Sequence, residues 1–255
     1  MAPDAPQVPA GSGKHPVSLV VIAANRLDAS IAFYSKVFGW TLHRASAELA
    51  GGMPASGPAF ALRSGVPEGA AAAVPYILVP DVKSAMKRLT EAGATEERAP
   101  WSIPLVGTLA RFTDPGGTVW GVTTAMSPAG HAHVPMPFGD NPKPPAGSIC
   151  SLEMHAPDGD AAGNWFGEQF GWGAAMTMPE YVAFDPGAGI GGVFQSHTPQ
   201  ARVMVYLYAT DVKGKISEIE AAGGSRVGDP MSLPGMATFG YFKDPSGTVM
   251  GLIGG

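Results

Sequence analysis

Along the chain, short runs in which branched or aromatic residues alternate with small or polar ones are separated by stretches with apolar residues at helical spacing. Pro16–Ala24 is a β-rich run. Asp28 then stands where it would cap a helix that carries Ile31, Tyr34, Val37 and Phe38 on one face, and Gly39 stops it. Strands are expected at 40–44, 58–63 and 74–79. Asp81 caps a second helix, whose Val82, Ala85, Met86 and Leu89 keep helical spacing up to Gly93. Strands at 109–113 and 118–123 close the series. They are joined by Asp114-Pro115-Gly116-Gly117, where proline sets one φ and glycine admits a positive one.

The same series then recurs. Tyr76–Ala94 is echoed by Tyr206–Gly224 and Arg111–Val122 by Tyr241–Leu252, both 130 residues on, and Phe33–Trp40 by Trp165–Trp172, 132 residues on. Three motifs in one order at nearly one spacing mean two copies of one unit. The second copy reads as a repeat with caps at Asp160 and Asp211, helix stops at Gly171 and Gly223, and the turn Asp244-Pro245-Ser246-Gly247. The expected organisation is a loose tail over 1–15, a first module over 16–125, a proline-rich linker over 126–145 and a second module over 146–255.

Composition narrows the class. At 255 residues and 45% hydrophobic, the chain can bury a substantial core. A formal charge of −5 and the absence of any Lys/Arg cluster argue against nucleic acid or an anionic membrane as partner. The tail has no apolar run, so it reads as neither signal peptide nor anchor, and a cytoplasmic location is expected. The single cysteine, Cys150, sits in an apolar strand pattern and reads as a buried filler.

As a set, these motifs resemble the vicinal-oxygen-chelate superfamily, which includes glyoxalase I, extradiol dioxygenases and bleomycin-resistance proteins. The signature is a first strand, a helix ending FYSKVFGW or WFGEQFGW, a middle strand running into Asp81-Val82 or Asp211-Val212, and a DPGGT or DPSGT hairpin. The resemblance implies an α+β fold: two tandem βαβββ modules forming curled mixed sheets around a shared cleft, with helices on the outside. Metal-dependent members of that family place His, Gln or Glu ligands on the first, middle and last strands. The corresponding positions here are Leu19 and Ser151, Val74 and Met204, and Gly121 and Gly251, although the first-strand position admits a shift of two residues. None supplies an imidazole or carboxylate, so no metal ligand is assigned. A divalent Zn, Ni or Fe is expected only if ligands are displaced from the family positions.

Candidate chemistry concentrates in the second copy. Ser151, Glu153 and His155 alternate with Cys150, Leu152 and Met154, and Met204, Tyr206 and Tyr208 alternate with Val203, Val205 and Leu207. By the family geometry, the polar set lines the cleft. Glu153 beside His155 suits acid–base work or ligand contact, since a carboxylate can raise the pKa of a neighbouring imidazole and set its tautomer. In the first copy Val17, Leu19, Val21 and Val74 make an apolar wall in which Tyr76 is the polar exception, and Trp101, whose counterpart is Met231, is placed on the cleft rim as a flat contact. Trp40 and Trp172 read as core anchors, His131 and His133 as a solvated linker turn, and Gly187–Gly192 as a hairpin rather than a dinucleotide loop. The leading reading is a protein, monomer or homodimer, that binds a small organic molecule, partly apolar or aromatic, without the family metal. The alternatives are an enzyme of lyase, isomerase or dioxygenase type working through Glu153 and His155, and a structural or regulatory subunit with a filled cleft.

Overall fold

The computed structural model describes residues 8–103, 107–125, 132–197 and 201–254. The first copy contains β1 (Val17–Ala23), α1 (Leu27–Phe38), β2 (Thr41–Arg44), β3 (Leu49–Met53), β4 (Ala59–Arg63), β5 (Ala73–Leu78), α2 (Val82–Glu91), β6 (Thr95–Ile103), β7 (Gly107–Thr113) and β8 (Val119–Thr123). The second contains β9 (Ile149–His155), α3 (Gly159–Phe170), β10 (Gly173–Met178), β11 (Tyr181–Asp185), β12 (Gly192–Gln195), β13 (Val203–Ala209), α4 (Val212–Ala221), β14 (Ser225–Leu233), β15 (Ala237–Lys243) and β16 (Val249–Gly254). Each copy makes its own eight-stranded sheet, in the orders β2-β3-β4-β1-β5-β8-β7-β6 and β10-β11-β12-β9-β13-β16-β15-β14.

The fold is α+β, with two similar modules, as the motifs imply. Within each module, however, the βαβββ succession occurs twice. β1 lies parallel to β4, β5 parallel to β8, and the two halves meet where β1 runs antiparallel to β5; β9, β12, β13 and β16 repeat the arrangement. A complete curled sheet is therefore built inside each copy. The cleft expected between the copies is replaced by two clefts, one per copy.

Two of the capping expectations shift. Asp81 and Asp211 do cap, accepting from the backbone N–H of Ser84 and Gly214 at 2.7 and 3.0 Å. Asp28 instead lies inside the first turn of α1 and pairs with Arg44, while α3 is capped by Asp158, which accepts from Ala161 N at 2.9 Å, rather than by Asp160. Gly39 and Gly171 end their helices in the left-handed conformation, at φ 69° and 68°.

The copies meet through their helices. Phe33 and Phe38 of α1 pack on Phe242 of the second sheet, and Trp120 of the first sheet packs on Phe166 of α3 with ring centroids 4.7 Å apart. The DPxGT turns reciprocate: Thr248 Oγ1 donates to Ala23 O and Thr118 Oγ1 to His155 O, both at 2.7 Å, so each turn grips the end of the other copy's first strand. Buried Tyr34 and Ser30 add hydrogen bonds to Asp244. Trp40 and Trp172 are core residues and also tether other segments, Trp40 donating to Gly147 O of the second copy and Trp172 to His15 O of the tail.

The connecting segments are more than spacers. Residues 8–15, expected to hang loose, run along the second copy, with Ser12 N donating to Gly171 O and Gly13 N to Pro186 O. The linker bridges Val134 to Ile190, and Gly139 N donates to Met236 O. His131 and residues 1–7 and 104–106 lie outside the described residues. His133 is half-exposed, 3.8 Å from Asp185.

Candidate functional site

In the second copy, a cavity of about 520 Å³ opens on the face of the sheet turned away from the helices. Its floor is polar. Tyr206 on β13 donates to Glu153 Oε2 on β9 at 2.9 Å and lies 3.2 Å from the hydroxyl of Tyr241 on β15. With Tyr206's proton on Glu153, Tyr241 is the donor to Tyr206, giving a chain from the rim to the carboxylate. Ser151 also lines the floor, and Tyr181, hydrogen-bonded to His197 Nε2 at 2.6 Å, stands on a side wall. Burial raises the Glu153 carboxyl above its ordinary value, against the opposing pull of the Tyr206 hydroxyl and His197. Burial first, then the charge of Glu153, pushes Tyr206 well above the usual phenol range.

The upper walls are apolar. Met178, Met231 and Met236 line them, and Met178 and Met231 are two of the most exposed large apolar side chains among the described residues, at 39% and 53%. The linker closes one side with Met136 and Phe138, the latter against Phe239, and Val8 of the tail reaches the same rim. Methionine is unbranched and polarisable, so a rim of this kind can adapt to ligands of different outline.

The expected site residues divide into three groups. Ser151, Glu153 and Tyr206 come together in this cavity. Tyr208 does not join them: it lies further along β13, where its N–H donates to Ser148 O and its carbonyl accepts from Gly147 N, and it does not line the cavity. His155 is also set apart, at the end of β9 beside Gln195 of β12, and both its Nδ1 and the Gln195 amide are buried without a hydrogen-bond partner among the described residues. The Glu153–His155 pair thus gives way to Glu153–Tyr206. Tyr241 and Tyr181 had no signal in the pattern, because each becomes a cleft residue only through the order of strands in the sheet.

Tyr76 and Trp101 belong to the first copy's own cavity, also about 520 Å³. Leu19 and Val21 make its wall apolar as expected, but Arg63, Arg98 and Arg111 line it too. Arg111 Nε donates to the Tyr76 hydroxyl at 2.8 Å, and Arg98 stacks on Trp101 at 3.8 Å. Burial raises Tyr76 and the Arg111 charge opposes that rise.

Residues 17–122 match the model of the Glyoxalase/Bleomycin resistance protein/Dioxygenase superfamily. Among solved structures, the chain resembles the Mn(II)-bound glyoxalase from Novosphingobium aromaticivorans, at 15% identity and TM-score 0.65 over 96% of this chain and 83% of that one. It also resembles the 2,3-dioxygenase LapB from Pseudomonas, at 14% identity and TM-score 0.63 over 96% and 93%. An extradiol ring-cleaving dioxygenase from B. fuscum aligns at 14% identity and TM-score 0.62 over 98% and 75%. At such identities the likeness is one of fold. No curated protein sequence matches the chain.

The donor set does not fit the metal those relatives suggest. A Cβ on Gly121 would overlap the Tyr76 ring, and one on Gly251 would lie 2.5 Å from Tyr206 Cδ1, so a tyrosine ring fills the space beside each last-strand position. What remains in the second cavity is Glu153 among phenols that burial keeps protonated, with Asp140 of the linker as the other carboxylate of the lining. In the first, guanidinium groups oppose a cation. No cluster of three or more His, Cys, Asp or Glu side chains suited to a metal occurs among the described residues.

Proposed function

The first copy belongs to the glyoxalase, bleomycin-resistance and dioxygenase superfamily and the second repeats it strand for strand; for a protein so built we propose that the second copy's cleft binds a small, partly apolar or aromatic molecule without a metal. The observation that carries this reading is the cavity itself, an apolar, methionine-rimmed slot over a floor of Glu153, Tyr206 and Tyr241. Pockets for organic ligands combine those two features, apolar walls for affinity and a few fixed polar groups for orientation. A ligand amine or hydroxyl would meet Glu153 and the Tyr241 oxygen as acceptors. Single-cysteine content and net negative charge suit a cytoplasmic protein with neither nucleic-acid nor membrane partners, acting as monomer or homodimer. Among the described residues no helix is long and apolar enough to cross a membrane.

The test is a thermal-shift screen of small aromatic amines, phenols and antibiotics on the intact protein. A stabilising compound should lose its effect in Glu153→Gln and Tyr206→Phe. A screen without any hit, or a hit indifferent to both substitutions, would refute the reading. Metal analysis of the purified protein bears on it separately: stoichiometric Zn, Ni, Fe or Mn would overturn the metal-free part.

One observation favours a second reading, catalysis. Glu153 is a partly buried carboxyl whose pKa burial raises, with a phenol as its hydrogen-bond donor, an arrangement able to hold or return a proton. In that case Glu153 takes a proton from a ligand C–H or O–H and Tyr206 holds its second oxygen. Turnover of a bound compound that Glu153→Gln abolishes without loss of binding would establish it.

A further inference from the structure

We propose that the first copy's cleft is a second and separate ligand site, selective for an apolar or aromatic monocarboxylate held by Arg63 and Arg111. The two cavities have the same volume and descend from one repeated unit, yet their polar groups have opposite sign. Where the second copy has Tyr241 beside Tyr206, the first has Arg111 beside Tyr76. Where the second has Glu153 on its first strand, the first has Val21. The second cavity is lined by Glu153 and Asp140 and by no lysine or arginine, whereas the first is lined by Arg63, Arg98 and Arg111 with Glu48 as its one carboxylate.

The arginines are also under-used by the protein. Arg111 is largely enclosed, its side chain 17% exposed, and it spends Nε on Tyr76. Its one charge partner, Glu97, lies 3.9 Å from the guanidinium, beyond hydrogen-bond reach, so its terminal amino groups have no acceptor among the described residues. Arg63, the last residue of β4, forms no side-chain hydrogen bond or ion pair with any described residue. Arg98 is held flat against Trp101. An adjoining cavity of about 240 Å³ is lined by the same three arginines, so the half-buried Arg63 and Arg111 stand at the junction of the two spaces, with the exposed Arg98 at its edge.

Guanidinium groups with free, forked donors beside an apolar slot select a planar anion whose body is apolar. Leu19, Val21, Ile103 and Leu109 supply the slot, and the Trp101–Arg98 stack supplies a flat wall at its mouth. A carboxylate placed between Arg63 and Arg111 would fill donors the protein leaves open, and its hydrocarbon body would cover the apolar wall. A divalent cation or an amine is repelled by the same groups. This site is independent of the reading given for the second cleft.

Isothermal titration of the intact protein with 2-naphthoate, and with 2-naphthol as the neutral counterpart of similar shape, tests the assignment. Naphthoate should bind, more weakly as salt is raised, and naphthol should bind far less. Arg63→Met and Arg111→Met should each weaken naphthoate by about tenfold or more, whereas Glu153→Gln in the other cleft should leave it unchanged. Should Arg111→Met fail to fold, Arg63→Met decides, because Arg63 has no side-chain hydrogen bond or ion pair with a described residue to lose. No binding at millimolar naphthoate, equal binding of naphthol, or a loss confined to Glu153→Gln would overturn the proposal. None of those results depends on whether the second cleft finds its own ligand.

Discussion

Gly251 lies under the ring of Tyr206 and Gly121 under that of Tyr76, one strand away in each sheet. The repeated glycine, which in sequence is simply a lost carboxylate, is in space the condition for a tyrosine to lie flat across the sheet. Gly251→Ala should therefore destabilise the fold by about 1–3 kcal/mol through overpacking. Tyr206→Ala in the same chain should recover part of that loss, a coupling that chemical denaturation of the two single variants and the double variant would reveal. Glu153 offers a second check. Its folded pKa is raised, so its protonated form contributes stability at low pH that is lost as pH rises through the folded value. Glu153→Gln keeps an acceptor for Tyr206 and cannot ionise. Its thermal midpoint should rise relative to the unaltered protein at neutral pH, and the gap should close below the ordinary glutamate value of about 4.3. A gap that widens on acidification would contradict burial as the dominant cause.

At the scale of elements, local chemistry was legible where it acts locally. The caps at Asp81 and Asp211, the left-handed glycines and the DPxG turns follow from short-range geometry, and the expected strands at 58–63, 74–79 and 118–123 coincide with real ones to within a residue or so. Asp28 and Asp160 show the limit. Both precede helical patterns, but the cap depends on where the strand before it ends, which pairing decides. Asp158→Ala should accordingly cost about 1 kcal/mol and Asp160→Ala a few tenths at most, measured by urea unfolding. β3 and β6 escaped the pattern altogether. β3 holds Gly51 and Gly52 between two partner strands, and β6 is an edge strand rich in charge, so neither alternates as a half-buried strand does. The linker belongs here too: Phe138→Ala should weaken any ligand of the second cleft, because it removes one wall, while changing global stability little.

At the scale of the molecule, the two copies share one continuous core, which runs from Val20 and Phe60 through Trp120 and Phe166 to Phe242 and Leu252. Heat should therefore unfold the chain in a single cooperative transition, with the calorimetric and van't Hoff enthalpies equal. Two resolved transitions would mean that the helix-to-sheet contacts between copies are weaker than the packing within each.

Taken by itself, the sequence determined the duplication, the helix stops and the turns, because each rests on residue type and spacing along the chain, and its resemblance to the family carried the α+β class and the loss of ligand side chains from the family positions. It also drew attention to Ser151, Glu153, Tyr206, Tyr76 and Trp101. Only the tertiary structure decided how these residues are shared. Each copy folds two βαβββ units into its own sheet, so Tyr76 and Trp101 line one cleft and Glu153 and Tyr206 another, while Tyr208 is left outside both, beside the residues that lead into β9. Strand order brought Arg111 to Tyr76 and Tyr241 to Tyr206, and with them opposite electrostatic character to two clefts of equal size. Such pairings join residues 35 apart in the chain, and they are set by which strands hydrogen-bond side by side, a property of the assembled sheet that no local pattern encodes.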